Sequence, residues 1–393
     1  MIQLKKIVLI VVLALCALTV NAQTSYMGSK FNPVHTALVS QGIAPDARAA
    51  GMGEVGVATD PDVNSQYWNP AKYPFCISRA GAALNYTPWL RKLVPDMDIA
   101  YLAGYYRIGD YSALSGSLRY FSLGEVYTSY DEMDLENATT INPYEMSVDV
   151  AYSLMLSEKF SIAAGVRYLM SDMSFSDTEE KSISSAFAAD LAMYYQTYPY
   201  LGNRECQLGI GLNISNIGSK ITLGGDENSE FIPTNMRLGA SLMIPIDDYN
   251  RFTISADANK LLVPTYPQRG ETESDESYQQ RLQRDYYDVS SISGMFKSFS
   301  DAPDGASEEL KEIQWSVGAE YCYNDQFMVR AGYHDEAEIK GNRKYYTVGA
   351  GFKMSAFTLD AAYCIATASS NPLDQTLRFS LSFDIDGIKD LFK

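Results

Sequence analysis

The sequence predicts an all-β fold, a 14-stranded antiparallel transmembrane β-barrel, and three observations predict it. Short segments of alternating apolar and polar residues recur about fourteen times. An export signal precedes them, and the joins between them alternate between short and long. Strand side chains point to opposite faces with a period of two, so each segment has one apolar and one polar face. That pattern, repeated behind a signal peptide, suits lipid outside and water inside.

The chain opens on the export signal. Lys5 and Lys6 precede an apolar run from Ile7 to Val20, and Val20-Asn21-Ala22 offers a small-residue cleavage site before Gln23. Residues 1–22 are therefore excluded from the fold. Cys16 does not make this a lipoprotein signal, because Leu15 stands where such signals need a small side chain. No later segment approaches the ~18–20 consecutive apolar residues of a membrane helix.

Residues 23–78 follow, and they carry the most distinctive motif. Asp46 to Ala58 is rich in small residues, with glycines at 51, 53 and 56. It leads into Asp60-Pro61-Asp62 and then Tyr67-Trp68-Asn69-Pro70-Ala71-Lys72. Glycines permit close backbone approach, as packing inside a narrow lumen requires. Gly51-Met52-Gly53 lacks the third glycine and the Lys-Ser/Thr of a phosphate loop. Arg48, Gly51, Met52, Gly53, Trp68, Asn69 and Pro70 are the expected lumen residues.

Strands are expected at 79–87, 97–107, 111–121, 146–156, 160–170, 183–195, 206–215, 236–246, 251–260, 313–323, 326–334, 344–353, 356–365 and 376–385. Phe252, Ile254, Ala256 and Ala258 alternate with Thr253, Ser255, Asp257 and Asn259. Leu377, Phe379, Leu381, Phe383 and Ile385 alternate with Thr376, Arg378, Ser380, Ser382 and Asp384. On the polar phase, Arg119, Arg167, Arg237 and Arg330 against Asp149, Asp190 and Asp257 suggest a charged interior network holding the lumen segment. The barrel is thus expected over 79–385. The tail 386–393, with Ile388, Leu391 and Phe392, is expected to form a short amphipathic helix.

With the first strand rising from the periplasm, the even-to-odd joins are the periplasmic turns, which such barrels keep short. Ile108–Asp110, Ser157–Lys159, Asp247–Asn250, Asn324–Asp325 and Met354–Ser355 fit, and only Gln196–Glu205 is longer. The odd-to-even joins 122–145, 216–235 and 261–312 are long. Glu125, Asp131, Glu132, Asp134 and Glu136 make the first acidic. Glu271, Glu273, Asp275, Glu276, Glu308, Glu309 and Glu312 do so for the last. A connection as long as 261–312 is functional or disordered. Glu276–Tyr287 within it suits a helical turn or two. Met295, Phe296 and Phe299 place large apolar side chains where exposure is expected, which marks a partner-binding loop or a fold back over the barrel mouth.

Composition agrees with a barrel. Aromatics are 12% of residues, 29 of them tyrosine, a bias that suits girdles at membrane interfaces. The mean hydropathy of −0.16 is what alternating strands average to. A net charge of −17, with Lys and Arg scattered singly, argues against nucleic acid as a partner. Cys76, Cys206, Cys322 and Cys364 remain after cleavage, and their spacing leaves three pairings open. No motif marks a metal or a cofactor.

The run from Arg48 through Gly51-Met52-Gly53 to Ala58, followed by Trp68-Asn69-Pro70-Ala71, resembles the N-terminal hatch of the FadL-like outer-membrane family. That resemblance implies fourteen strands around an N-terminal plug. Tyr86-Thr87-Pro88-Trp89-Leu90-Arg91, Leu118-Arg119-Tyr120-Phe121-Ser122-Leu123-Gly124 and Val166-Arg167-Tyr168-Leu169…Ser171-Asp172 resemble the PorV (LptO) family. These are the FadL-like barrels of the type IX secretion system in Bacteroidetes. The resemblance implies an integral protein of the cell outer membrane. It implies a protein that receives cargo carrying a C-terminal secretion signal from the giant translocon barrel (Sov/SprA). The cargo then passes to a surface sortase-like complex containing PorU, which attaches it to anionic lipopolysaccharide.

No catalytic motif comes with the resemblance, and no enzyme is expected. Two rival functions stay open. The broader FadL-like group implies transport of fatty acids or other hydrophobic compounds, with Leu102, Tyr105, Tyr106 and Phe121 as an apolar lining. The LptO name implies lipid A deacylation, which needs a histidine base within reach of a serine. Only His35 and His334 exist. His35 lies in the N-terminal segment. His334 ends a strand beside Asp335 and Glu336 near the outer rim, and reads first as a histidine in a polar loop.

Overall fold

Alternation becomes wall. In the computed structural model, β1 (Ala80–Pro88), β2 (Asp98–Ile108), β3 (Ser112–Ser122), β4 (Tyr144–Ser157) and β5 (Phe160–Asp172) form the first part of the sheet. β6 (Ile183–Thr197), β7 (Gln207–Gly218), β8 (Asn235–Pro245), β9 (Asn250–Leu261) and β10 (Gln314–Tyr323) continue it. β11 (Phe327–Asp335), β12 (Tyr345–Lys353), β13 (Phe357–Ala366) and β14 (Leu377–Asp384) complete it. Each pairs antiparallel with its chain neighbour, and β1 closes on β14 from Gly81↔Asp384 to Tyr86↔Phe379. Every expected strand is present.

The structure describes residues 31–91, 94, 96–128, 139–173, 183–223, 228–270, 272–367 and 373–391. The expected signal peptide with Cys16, the carboxylates Asp131, Glu132, Asp134, Glu136 and Glu271, and Phe392 lie outside the described residues.

The two faces are inverted relative to a water-soluble sheet. Ile210, Phe252, Trp315, Leu359 and Phe379 point outward and are exposed, while Ser255, Asp257, Glu320, Arg330 and Arg378 point inward and are buried. Exposed aromatics collect towards both ends of the wall. Tyr86, Tyr120, Trp315 and Tyr346 lie towards the long loops, and Tyr106, Tyr195, Phe252, Tyr323 and Phe327 towards the short turns. These are the two girdles of a membrane barrel.

Several wall strands run one or two residues past their expected ends, and β7, expected to end at 215, runs three past, to Gly218. Between Ile214 and Ile217 the β6–β7 register shifts, and Asn216 takes φ +59°. This is a bulge, with an extra residue on one strand. Asn216 N–H donates to Asp190 (2.7 Å), its Nδ2 to Pro233 O (3.0 Å), and Arg167 donates to its Oδ1 (2.6 Å). Those partners carry β7 on to Gly218.

Residues 32–78 run down the inside. Asn32 N–H meets Ile339 O (2.7 Å) at the long-loop end, and the Ser78 hydroxyl meets Asp384 at the short-turn end. After β14 the chain turns into the helix Ile385–Leu391, the expected tail helix. The four cysteines are buried and unpaired, so none of the three possible pairings forms.

Candidate functional site

Two regions bear on function: the lumen segment against the wall, and the long excursion between β9 and β10. A polar backbone crossing a closed barrel needs a partner for each N–H and C=O. The lumen segment finds them in short helical turns and in charged wall residues.

Asp46 caps the turn Ala47–Ala50. One carboxylate oxygen accepts from Ala49 N–H (2.9 Å) and the other from Trp68 Nε1 (2.6 Å). Arg48, two residues on, reaches Asp62 (2.8 Å) and the wall residue Glu320 (3.3 Å). Glu320 binds Arg330 (2.6 Å), which binds Asp360 (2.7 Å). The chain of charges thus runs from the lumen segment into three strands, β10, β11 and β13.

Gly51-Met52-Gly53 lies flat on the wall. Gly53 has φ +72°, and a Cβ there would stand 2.7 Å from the Tyr333 backbone. On the wall side, a Cβ at Gly332 would stand 2.1 Å from the backbone of Met52 and Gly53. Both backbones must be bare for this contact. Gly53 N–H then donates to the Thr347 hydroxyl (2.8 Å).

Further along, Asp257 accepts from Gly56 N–H (2.8 Å) and Val57 N–H (3.0 Å). Lys72 Nζ donates to Gly56 O (2.8 Å) and the Thr59 hydroxyl (3.2 Å). A Cβ at Gly56 would fall 2.3 Å from the Trp68 ring. Asn69 donates to Val57 O (3.1 Å) and Met193 O (2.9 Å) and caps Ala71 N–H (3.0 Å). Pro70 opens the 3-10 helix Pro70–Phe75, and its carbonyl accepts from Ser153 (2.7 Å).

The expected interior charge network takes a different form. Arg167 does pair with Asp190 (2.7 Å) and Asp149 (3.5 Å). Arg119 instead donates to Ser40 O and Ile43 O (2.8 Å). Arg237 donates to the Tyr67 hydroxyl (3.0 Å), and both guanidiniums lie over the Tyr67 ring, 4.9 and 4.6 Å from its centroid. Two of the four arginines, Arg119 and Arg237, therefore serve the lumen backbone and an aromatic ring rather than a carboxylate. Sequence reading missed Asp46, Lys72, Glu320 and Asp360. The Asp46-Ala47-Arg48-Ala49 pattern carries an N-cap signal for the first; nothing local marks the rest.

The excursion is folded. Ser274 caps Asp275–Leu282, which runs on through a wide turn to Tyr287, and Ser290 caps Ser291–Lys297. Glu276–Tyr287 is thus helical, as expected. Val263, Leu282 and Tyr286 pack with Phe231 as a small core. Beneath it Lys260 binds Glu309 (3.1 Å) and Glu312 (2.5 Å), and Lys340 binds Glu308 (2.6 Å) and Glu312 (2.9 Å). The inner face of Ser291–Lys297 seats Gly294 against Phe231 and Pro264. Its outer face exposes Ile292 and Phe296, the latter 74% exposed, with Phe299 beside them at 49%. Met295 is half-buried.

Residues 28–268 match the family described as "Type IX secretion system protein PorV". The chain belongs to the PorV family. No curated protein matches the sequence. Among solved structures it is similar to the Pseudomonas putida toluene transporter TodX, at 9% identity and TM-score 0.50, over 87% of this chain and 98% of that one. A TodX deltaS2S3 mutant, a monoaromatic hydrocarbon channel, gives 11% identity and TM-score 0.51 over 86% and 98%. The Ralstonia pickettii toluene transporter TbuX gives 13% identity and TM-score 0.45 over 86% and 97%. At such identities the likeness shows the fold alone. A PorV-family barrel with this fold is an outer-membrane component of type IX secretion.

Two expected sites take other forms in this PorV-family chain. Leu102 and Tyr106 point outward and are exposed. Tyr105 and Phe121 point inward, Tyr105 stacked on Tyr73 and Phe121 packed with Ile43 and Ile99. Residues on opposite faces of the wall line no common pocket. His334 is not a loop residue: it faces inward from β11, 2% exposed, stacked on Tyr345 at 4.9 Å, with Nδ1 3.0 Å from the Ser316 hydroxyl. His35 rests its ring edge-on against Tyr266 at 5.2 Å.

Proposed function

We propose that this protein is a cargo shuttle of the type IX secretion system. It binds exported proteins through their C-terminal signal domain, takes them from the translocon barrel (Sov/SprA), and hands them to the PorU attachment complex. The observation that carries this reading is the PorV-family match together with a folded, apolar-faced excursion at the long-loop end. In this reading that end faces the cell surface, lipopolysaccharide surrounds it, and residues 32–78 act as a hatch that keeps the lumen shut. Phe296 and Phe299, supported by Met295, form the docking face, since an exposed apolar patch rimmed by polar residues marks an interaction site.

The experiment is purification from native membranes in mild detergent, with mass spectrometry of what accompanies the barrel. A very large barrel and exported proteins sharing a C-terminal domain are expected. Phe296→Ser with Phe299→Ser should cut their recovery about tenfold, as loss of central aromatic anchors does, with the barrel itself unaffected. Deleting residues 292–300 without losing cargo export would remove the excursion from this role.

A transporter of fatty acids or other hydrophobic compounds is the second reading, supported by the TodX-type fold. Bound lipid and no protein partner in the same purification would favour it. Lipid A deacylation draws only on the Ser316–His334 pair. Both side chains are almost wholly buried, so an acyl ester has no approach to them in this conformation. His334→Ala should leave lipid A acylation unchanged.

A further inference from the structure

The lumen segment is held by two different kinds of neighbour, and Leu38 marks the border. Upstream of it, Asn32 Nδ2 donates to Glu308 (3.1 Å) and the Tyr286 hydroxyl donates to His35 O (3.2 Å). Val34 packs into the Tyr286 cluster, and the His35 ring meets Tyr266. Glu308, Tyr286 and Tyr266 all belong to the excursion; Asn32 N–H adds a bond to Ile339 O in a neighbouring loop.

Downstream of Leu38 the partners are wall residues. Ser40 N–H donates to Glu145 (3.1 Å), Gln41 to Ser147 (3.2 Å), and Arg119 grips the Ile43 carbonyl. Leu38 itself takes φ +52° and ψ +52°, a left-handed conformation that a leucine adopts only when its surroundings impose it. Its side chain is sunk among the wall residues Leu169, Ala186 and Ala188. That anchor makes it a pivot.

We infer that residues 32–36 form a strap clasped by the excursion, releasable while the lumen segment beyond Leu38 stays locked. The strap is held by a few neutral contacts and one hydrogen bond to a carboxylate. The deeper segment is held by buried ion pairs and capped amides, so the two open with different free energies. A partner that shifts the excursion therefore frees the strap at the barrel mouth without unplugging the lumen. The inference stands whatever that partner is.

The test uses the full chain in detergent, with Val34→Cys or Val63→Cys as single introduced probes, both half-buried; among the described residues the native cysteines are buried. Maleimide labelling is timed with Tyr286 intact, as Tyr286→Phe, and as Tyr286→Ala. Tyr286→Phe keeps the ring in its cluster and removes only the hydroxyl bonds, so the barrel folds. Labelling at position 34 should rise about threefold in Tyr286→Phe and about tenfold in Tyr286→Ala, with position 63 unchanged. Unchanged labelling at 34 in both variants overturns the inference. So does an equal rise at 63, which would mean that the whole lumen segment moves as one plug.

Discussion

At the scale of single residues, the lumen segment is specified by what it cannot carry. Gly53 combines a left-handed backbone with contact against the Tyr333 backbone. Left-handed geometry costs an L-residue about 1–2 kcal/mol, and a backbone neighbour cannot swing aside. Gly53→Ala should lower the temperature of heat-modifiable gel migration by about 2–6 °C. Gly42→Ala, where a Cβ meets nothing within 4 Å, is the silent control. A second residue couples the excursion to pH. Burial pushes the Asp301 carboxyl up from 3.8 to about 6; Glu309 and Glu312 add to this, and Thr265 N–H opposes it. A value raised on folding means stability present at low pH and lost as pH rises from 3.8 through about 6. Asp301→Asn has no charged form to bury, so its excursion should resist proteolysis better than wild type at pH 7.5, with the advantage shrinking at pH 5. Glu308 works the other way. Burial opposes its ionisation, but Lys340, Asp304 N–H and Asn32 hold it below 4.5, so its contribution is lost only as pH falls through that lowered value.

At the scale of elements, the helices of the excursion are short and depend on their caps. Ser290 accepts from Ser293 N–H at the head of Ser291–Lys297. Losing such a cap costs about 1 kcal/mol, and isolated helices of this length are unstable in water. Ser290→Ala should therefore speed amide exchange across Ser291–Lys297 about fivefold, with β9 and β10 unchanged. A change reaching those strands would mean that the excursion and the wall unfold together. Helix formation near Glu276–Tyr287 was legible because polar residues alternate there with Tyr278, Leu282 and Tyr286 at helical spacing. The small core that seats the helix was not legible. Phe231 and Val34 come from distant parts of the chain, and no local pattern links them to Tyr286.

At the scale of the whole molecule, the wall and the lumen segment depend on each other. Fourteen strands enclose inward-facing serines, arginines and carboxylates, which water or protein must satisfy. Here residues 32–78 satisfy many of them, through Arg119, Asp257, Thr347 and Ser153 among others. On the proposed reading this segment closes the lumen. In planar bilayers the full chain should show no sustained conductance, and a chain lacking residues 46–72 should conduct as an open pore. Equal conductance from both would count against the lumen segment as the barrier.

Strand number, strand positions and loop asymmetry are properties of period and spacing, so the sequence alone determined them. Each strand has its face pattern written in its own residues, and burial in a barrel follows that pattern directly. Resemblance in Trp68-Asn69-Pro70 and the Arg48 motif pointed to the lumen segment. Only the tertiary structure decided which wall residue meets which lumen residue. Arg119 and Arg237 read as ion-pair partners and became holders of carbonyls and of Tyr67, because buried charge goes to the nearest unpaired backbone as readily as to an opposite charge. His334 read as a rim residue and became a buried ring beside Ser316, because one residue of strand phase decides between solvent and lumen. The clasp of the excursion on Asn32 and His35 likewise needed the fold, since the paired residues lie 276 and 251 positions apart in sequence.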